Sequence, residues 1–162
     1  MNRAVIVVVI LSASATVSVV GQRTLPPLRI GTHVAGNMMN GPFDLYRVGG
    51  QLVIPIGPRL SVYPSISRFL DGAEWEVSAA LRVRPFGSRE GSSPLYLGVG
   101  VAAVNFGPNS AGYDLWITGL ELPNGRLRPY VELQFLGPVH RLISSAADWG
   151  VQAHAGLTWA VR

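Results

Sequence analysis

The stretch that decides the fold is WGVQAHAGLTWAVR, Trp149 to Arg162. Its odd positions, Trp149, Val151, Ala153, Ala155, Leu157, Trp159 and Val161, are all apolar, and its even positions, Gly150, Gln152, His154, Gly156, Thr158, Ala160 and Arg162, are small or polar. Successive side chains of a β-strand point to opposite faces, so the alternation predicts one long strand with an apolar and a polar face. Such a run exceeds the usual globular strand of about 5–6 residues but suits a tilted membrane-crossing strand of roughly 9–11. Trp149 and Trp159, near opposite ends of the apolar face, fit two interfacial aromatic girdles. An edge strand of a soluble sandwich is the competing reading.

The same period recurs upstream. Leu28 to Met38 sets Leu28, Ile30, Thr32, Val34, Gly36 and Met38 against Arg29, His33 and Asn37. Asp44 to Ile56 sets Tyr46, Val48, Leu52, Ile54 and Ile56 against Arg47 and Gln51, and Gly57-Pro58-Arg59 turns the chain. Leu60–Leu70 and Ala73–Phe86 flank Asp71-Gly72, a dipeptide suited to a two-residue hairpin turn with positive φ. That turn pairs residues whose numbers sum to 143 and brings Ser61, Tyr63, Ser65 and Ser67 onto one face with Glu74, Glu76, Ser78, Arg82 and Arg84. Arg68 is an exception on the apolar face, beside the loop.

Leu95 to Phe106 forms a fifth strand whose polar-side positions Gly98, Gly100 and Ala102 are unusually small, leaving room for arginines to lie across them. In the sixth strand Tyr113, Leu115 and Ile117 share one parity and Leu120 and Leu122 the other, so keeping every apolar residue outward requires a β-bulge at Gly119. Asn124-Gly125 predicts a tight hairpin pairing Leu122 with Leu127 and Glu121 with Arg128. The seventh strand then shows Leu127, Pro129, Val131, Leu133 and Phe135 outward and Arg128, Tyr130, Glu132 and Gln134 inward. Gly137 to Asp148 is the longest loop.

Composition agrees. Only 14% of the 162 residues are charged and 48% are hydrophobic, against about 25–35% charge on a soluble surface. Nineteen Gly and twelve Pro favour turns over helices, and no window sustains a 3.6-residue period. There is no Cys, which removes disulfides and thiolate metal sites. The net charge of +4 comes from Arg alone, interleaved with Glu along strands rather than in a run, which argues against nucleic-acid binding.

The first 21 residues have the order of a secretory signal: Asn2-Arg3, the apolar run Ala4 to Leu11, then Ser12-Ala13-Ser14-Ala15. Cleavage fits after Ala15 or after Gly21. The domain reading is therefore a signal peptide over 1–21 and a β-barrel domain over 22–162.

Eight strands in successive hairpins form a closed, antiparallel, up-and-down barrel, all-β, its narrow interior filled by side chains. One face carries Arg29, Arg47, Glu74, Glu76, Arg82, Arg84, Asp114, Arg128 and Glu132, and the other is almost wholly aliphatic and aromatic. The aliphatic residues are too bulky for a narrow lumen, so the expectation is a transmembrane barrel with charges inside. A soluble lipocalin-like carrier, with the faces reversed, is the alternative.

The chain resembles the small eight-stranded outer-membrane barrel proteins of the OmpA transmembrane-domain and OmpX type over nearly its whole mature length. It carries a counterpart of their C-terminal assembly signal in His154, Gly156, Trp159 and Val161, though it ends Val161-Arg162 where the family usually has a terminal aromatic. The resemblance implies insertion in the cell outer membrane by the barrel-assembly machinery, and the chain is expected to be a monomer that contacts lipid and lipopolysaccharide. It assigns no activity.

Buried charges need partners, so Arg47, Glu74, Glu76, Arg82, Arg84, Arg128 and Glu132 are expected to form a lumen charge network that plugs the barrel. The other role for such a network is a gate in a narrow ion pore. A lipid-modifying enzyme is a further alternative: lipid A deacylases carry His-x-Ser in a strand, but His154 is followed by Ala155-Gly156, and His33 has no Ser near it in the sequence. No catalytic residue and no cofactor is therefore assigned. Three scattered His give no metal-ligand spacing, so no metal site is expected.

Overall fold

A computed structural model describes residues 25–38, 46–86, 93–122, 125–138 and 150–161, apart from positions 107–108. The signal segment and the 139–149 part of the long loop lie outside the described residues. Eight strands form one closed barrel in sequence order: β1 Arg29–Asn37, β2 Arg47–Pro55, β3 Leu60–Phe69, β4 Trp75–Val83, β5 Leu95–Phe106, β6 Asn109–Glu121, β7 Leu127–Pro138 and β8 Gly150–Ala160. β1 closes on β8 through nine antiparallel pairs, from Arg29↔Ala160 to Asn37↔Gln152. Closure leaves no sheet edge, the condition a strand must meet where no water can pair with its backbone.

The faces follow the alternation. Val34, Val77, Val101, Trp116, Val131 and Leu157 are among the large apolar residues exposed on the outer surface, while Arg29, Arg47, Glu76, Arg82, Arg84 and Glu132 are buried inside. A lipocalin-like barrel would have these faces reversed. One end of the barrel carries the chain's entry into β1, its exit from β8 and the β2–β3, β4–β5 and β6–β7 connections. The other carries the remaining four.

The register of β3 with β4 sums to 143 throughout, from Leu60↔Val83 to Arg68↔Trp75. The turn that implied it takes another form, however. Phe69 N–H donates to Glu74 O at 3.1 Å, which closes a wider loop over residues 70–73. Among the described glycines only Gly125 has positive φ, at 55°, so Asp71-Gly72 is no left-handed two-residue turn.

β6 departs from expectation. Its pairings run without a break on both sides, from Leu95↔Leu120 to Phe106↔Asn109 and from Tyr113↔Pro138 to Glu121↔Tyr130, so there is no bulge at Gly119. Leu115 and Ile117 point inward instead, at 1% and 3% exposure, with Tyr113 packed against their cluster. Asp114 is outside with Trp116 and Leu120. The cause lies on β5: Gly98 is directly opposite Ile117 and Gly100 opposite Leu115. Two strand positions without side chains leave a hollow, and the neighbouring strand fills it with hydrocarbon, as close packing of an interior requires.

Gly119 is explained by another contact. It also faces inward, and a Cβ there would run into the ring and hydroxyl of Tyr96. The β6–β7 register differs too: Glu121 opposes Tyr130, two residues from Arg128, and Leu122 N–H donates to Pro129 O at 2.9 Å. A shift of two preserves the faces, so β7 keeps Tyr130, Glu132 and Gln134 inside and Val131, Leu133 and Phe135 outside.

Candidate functional site: the charged lumen

At the end carrying the chain's entry and exit, Glu121 is the focus. Arg84 Nη2 pairs directly with its Oε2, while Arg29 Nε and Arg128 Nη1 each lie 3.9 Å from its carboxylate. Thr158 Oγ1 donates to Glu121 Oε1 at 2.7 Å and accepts from Arg29 Nε at 3.0 Å. Arg29 Nη2 also donates to the carbonyls of Arg126 and Thr158, and Arg84 Nη1 to that of Ser93, at 2.7–3.0 Å.

Midway along the lumen, Arg82 is held by aromatic faces. Its guanidinium is 3.6 Å from the Tyr96 ring centroid and 4.4 Å from that of Tyr63. Arginine stacks in this way because its charge is delocalised over a weakly hydrated plane. Tyr96 Oη donates to Glu132 Oε2 at 2.8 Å, and Gln134 Nε2 to Glu132 Oε1 at 2.5 Å. Tyr63 and Tyr130 both donate to Gln51 Oε1, at 2.5 and 2.6 Å.

Toward the opposite end, Arg47 pairs with Glu76 and stacks on Phe69, 4.5 Å from its ring centroid. His33 lies between Gln51 Oε1, 3.1 Å from Nδ1, and Ser67 Oγ, 2.7 Å from Nε2. The expectation that His33 lacks a serine is thus corrected: β1 and β3 flank β2, and the barrel wall supplies Ser67 across it. The geometry is that of a base beside a hydroxyl, but Ser67 is 1% exposed, so a substrate carbonyl has no approach to Oγ in this arrangement. His154 stacks near His33 with ring centroids 5.1 Å apart.

Of the seven residues expected in the network, Arg47, Glu76, Arg82, Arg84 and Glu132 are buried inside and Arg128 lies at the mouth. Glu74 is the exception. It precedes β4 in the loop, half-buried, and no ion pair reaches it among the described residues. The expected network did not include Glu121, Arg29, Tyr63 or Tyr96, although Arg29 and Tyr63 fall on the polar face by parity. The signal for Glu121 was its place between the outward Leu120 and Leu122.

The four C-terminal signal positions share β8 and its exit. His154 is buried, Trp159 and Val161 are on the outer surface, and Gly156 lies where a Cβ would come within 2.7 Å of Tyr130 Cε1. Arg68, outside, stacks over Trp75 at 5.8 Å. Among the described residues no group of acidic, His or Cys side chains could hold a metal ion.

The barrel is similar to the N-terminal β-barrel domain of Pseudomonas aeruginosa OprF, with a TM-score of 0.62 and 12% identity over 82% of this chain and 97% of that one. The shared fold is a closed, antiparallel β-barrel, here of eight strands. A de novo designed protein, TMB2.3, matches with a TM-score of 0.53 and 10% identity over 86% of this chain and 98% of the other. No family model and no curated protein sequence matches the chain. At these identities the likeness carries the eight-stranded barrel fold, with the sequence solved in a different way.

Proposed function

We propose that the chain is a monomeric protein of the cell outer membrane whose role is structural or one of surface interaction, with a lumen plugged by its own charged side chains. The carrying observation is the inversion of the usual protein pattern: an apolar belt faces out from a closed barrel, while arginine–glutamate pairs lie inside. A contiguous exposed apolar belt requires lipid around it. On this reading residues 1–21 direct export, the barrel-assembly machinery recognises the last strand, and the loops between β1 and β2 and between β7 and β8 meet lipopolysaccharide or another surface partner.

Gel mobility of the membrane-extracted protein, unboiled against boiled, tests this reading. A closed transmembrane barrel resists detergent until heated, so a shift on boiling is expected. Recovery in the soluble periplasm with no shift would overturn it.

A further inference from the structure

We propose that the outer wall of the barrel holds one phosphate-bearing lipid in a fixed place, its phosphate on Arg68 and one acyl chain in a hollow over Gly50. This placement rests on the membrane reading above and adds to it a choice among lipids. Arg68 stands one residue from the end of β3, at the barrel end opposite the chain's entry, and is exposed on a face whose other β3 positions, Leu60, Val62, Pro64 and Ile66, are apolar. Its guanidinium lies 5.8 Å from the ring of Trp75, its partner in the β3–β4 ladder. Among the described residues no carboxylate pairs with it. A cation on a lipid-facing wall is strongly unfavourable at the bilayer midplane and tolerated near the interface, where tryptophan also collects. Arg68 and Trp75 therefore mark the depth at which lipid headgroups meet the wall. Arginine suits a phosphate there, because its planar fork of N–H donors matches the phosphate oxygens.

The hollow is a separate feature, made by a missing side chain. Gly50 faces outward on β2 between Thr32 of β1 and Ile66 of β3, and a Cβ added there would meet only the Gly31 carbonyl oxygen, 3.7 Å away. The gap belongs to an open depression of about 660 Å³ that runs from Arg68 and Trp75 past Ile66 and Gly50 to Thr32 and Leu157. That volume is within the range of about 300–1,000 Å³ found for small-molecule sites. Apart from Arg68, its exposed side chains are uncharged. Arg68 is paired with Val48 and so lies diagonally from Gly50, a separation of about 7–8 Å. An unpaired cation at one end of an apolar trough is complementary to a molecule with an anionic head and a hydrocarbon tail, and the bilayer supplies such molecules. A free phosphate ion would match only the head.

A variant keeping only Trp75, with Trp116, Trp149 and Trp159 replaced by Phe, reports on the site, because its indole lines the depression. It is refolded into phosphatidylcholine vesicles containing a minor fraction of phosphatidic acid, with bromines on the chains of one lipid or the other. The two quenching curves give the preference of the site between the headgroups. Phosphatidic acid is expected to be favoured by about fivefold, and the preference to fall to near one in Arg68→Gln. Gly50→Val fills the hollow and is expected to lower the preference as well, with unboiled gel mobility unchanged. In a protein keeping only Trp116, three strands away from Arg68, no preference is expected. Equal quenching of Trp75 by both lipids, or a preference that survives Arg68→Gln, would overturn the proposal. So would displacement of the lipid by sodium phosphate at constant ionic strength, which would assign Arg68 to a soluble anion. Absence of quenching by either lipid would instead overturn the membrane reading itself.

Discussion

Arg84, the residue after β4, and Glu121, at the end of β6, meet across the lumen, side chains 2% exposed, joining two strands that are not neighbours in the barrel wall. Backbone ladders bind each strand only to the next, so contacts of this kind are what hold the interior as one body. Removing Glu121 leaves Arg84, Arg29 and Arg128 facing one another. Glu121→Ala is expected to cost about 3–5 kcal/mol, read as a lower urea midpoint of the barrel refolded into lipid vesicles. An unchanged midpoint would mean that the cluster is wet and weak. Glu76→Ala, which strands Arg47, should behave alike.

Gly119 is the floor on which the Tyr96 ring rests. Gly119→Ala forces that ring away and disturbs its bond to Glu132, at a cost of roughly 1–3 kcal/mol for overpacking. Chemical denaturation of the variant measures it. If the expected bulge existed, the same substitution would fall on an irregular strand and leave Tyr96 unaffected.

The outer belt should be sensitive to depth. Val101 is near the middle of β5 and 57% exposed, while Leu70 is 59% exposed in the loop after β3. Their similar exposure separates membrane depth from burial. Val101→Arg is expected to cost about 2–4 kcal/mol and Leu70→Arg about 0–1. Equal costs in lipid vesicles would place no hydrocarbon around the barrel.

His33 and Ser67 form a hydrogen bond 2.7 Å long within the wall's inner face. Ser67→Ala leaves His33 Nε2 unpaired and should destabilise by about 1–3 kcal/mol, with no acyl release from lipid A by either protein. Release by the wild type that disappears in Ser67→Ala would make the pair catalytic.

Eight strands, the faces of all but the first half of β6, and the β3–β4 register were legible because side-chain direction in a strand depends only on parity. What parity cannot say is which strand supplies bulk inside. Leu115 and Ile117 look like lipid-facing residues until Gly98 and Gly100 are set opposite them, and that juxtaposition depends on a register the sequence does not print. The same limit hid Ser67 behind His33, which are separated by a whole strand. Asn124-Gly125 marked the right place for a left-handed glycine, at φ 55°, but loop length there moved the pairing by two, a shift invisible to alternation. Arg47, Arg82 and Glu132 were identifiable as interior charges, whereas their division into pairs and stacks follows from lengths and rotamers.

The central claim is that the apolar face meets lipid, and the tryptophans report on it most directly. Trp116 is 55% exposed in β6, with Trp75 and Trp159 toward opposite ends of the barrel. A variant keeping only Trp116, the other three replaced by Phe, should be strongly quenched by lipids brominated in mid-chain. A variant keeping only Trp159 should be quenched better by bromines placed near the headgroup. Fluorescence of the Trp116 protein that ignores brominated lipid but responds to aqueous acrylamide would contradict the account.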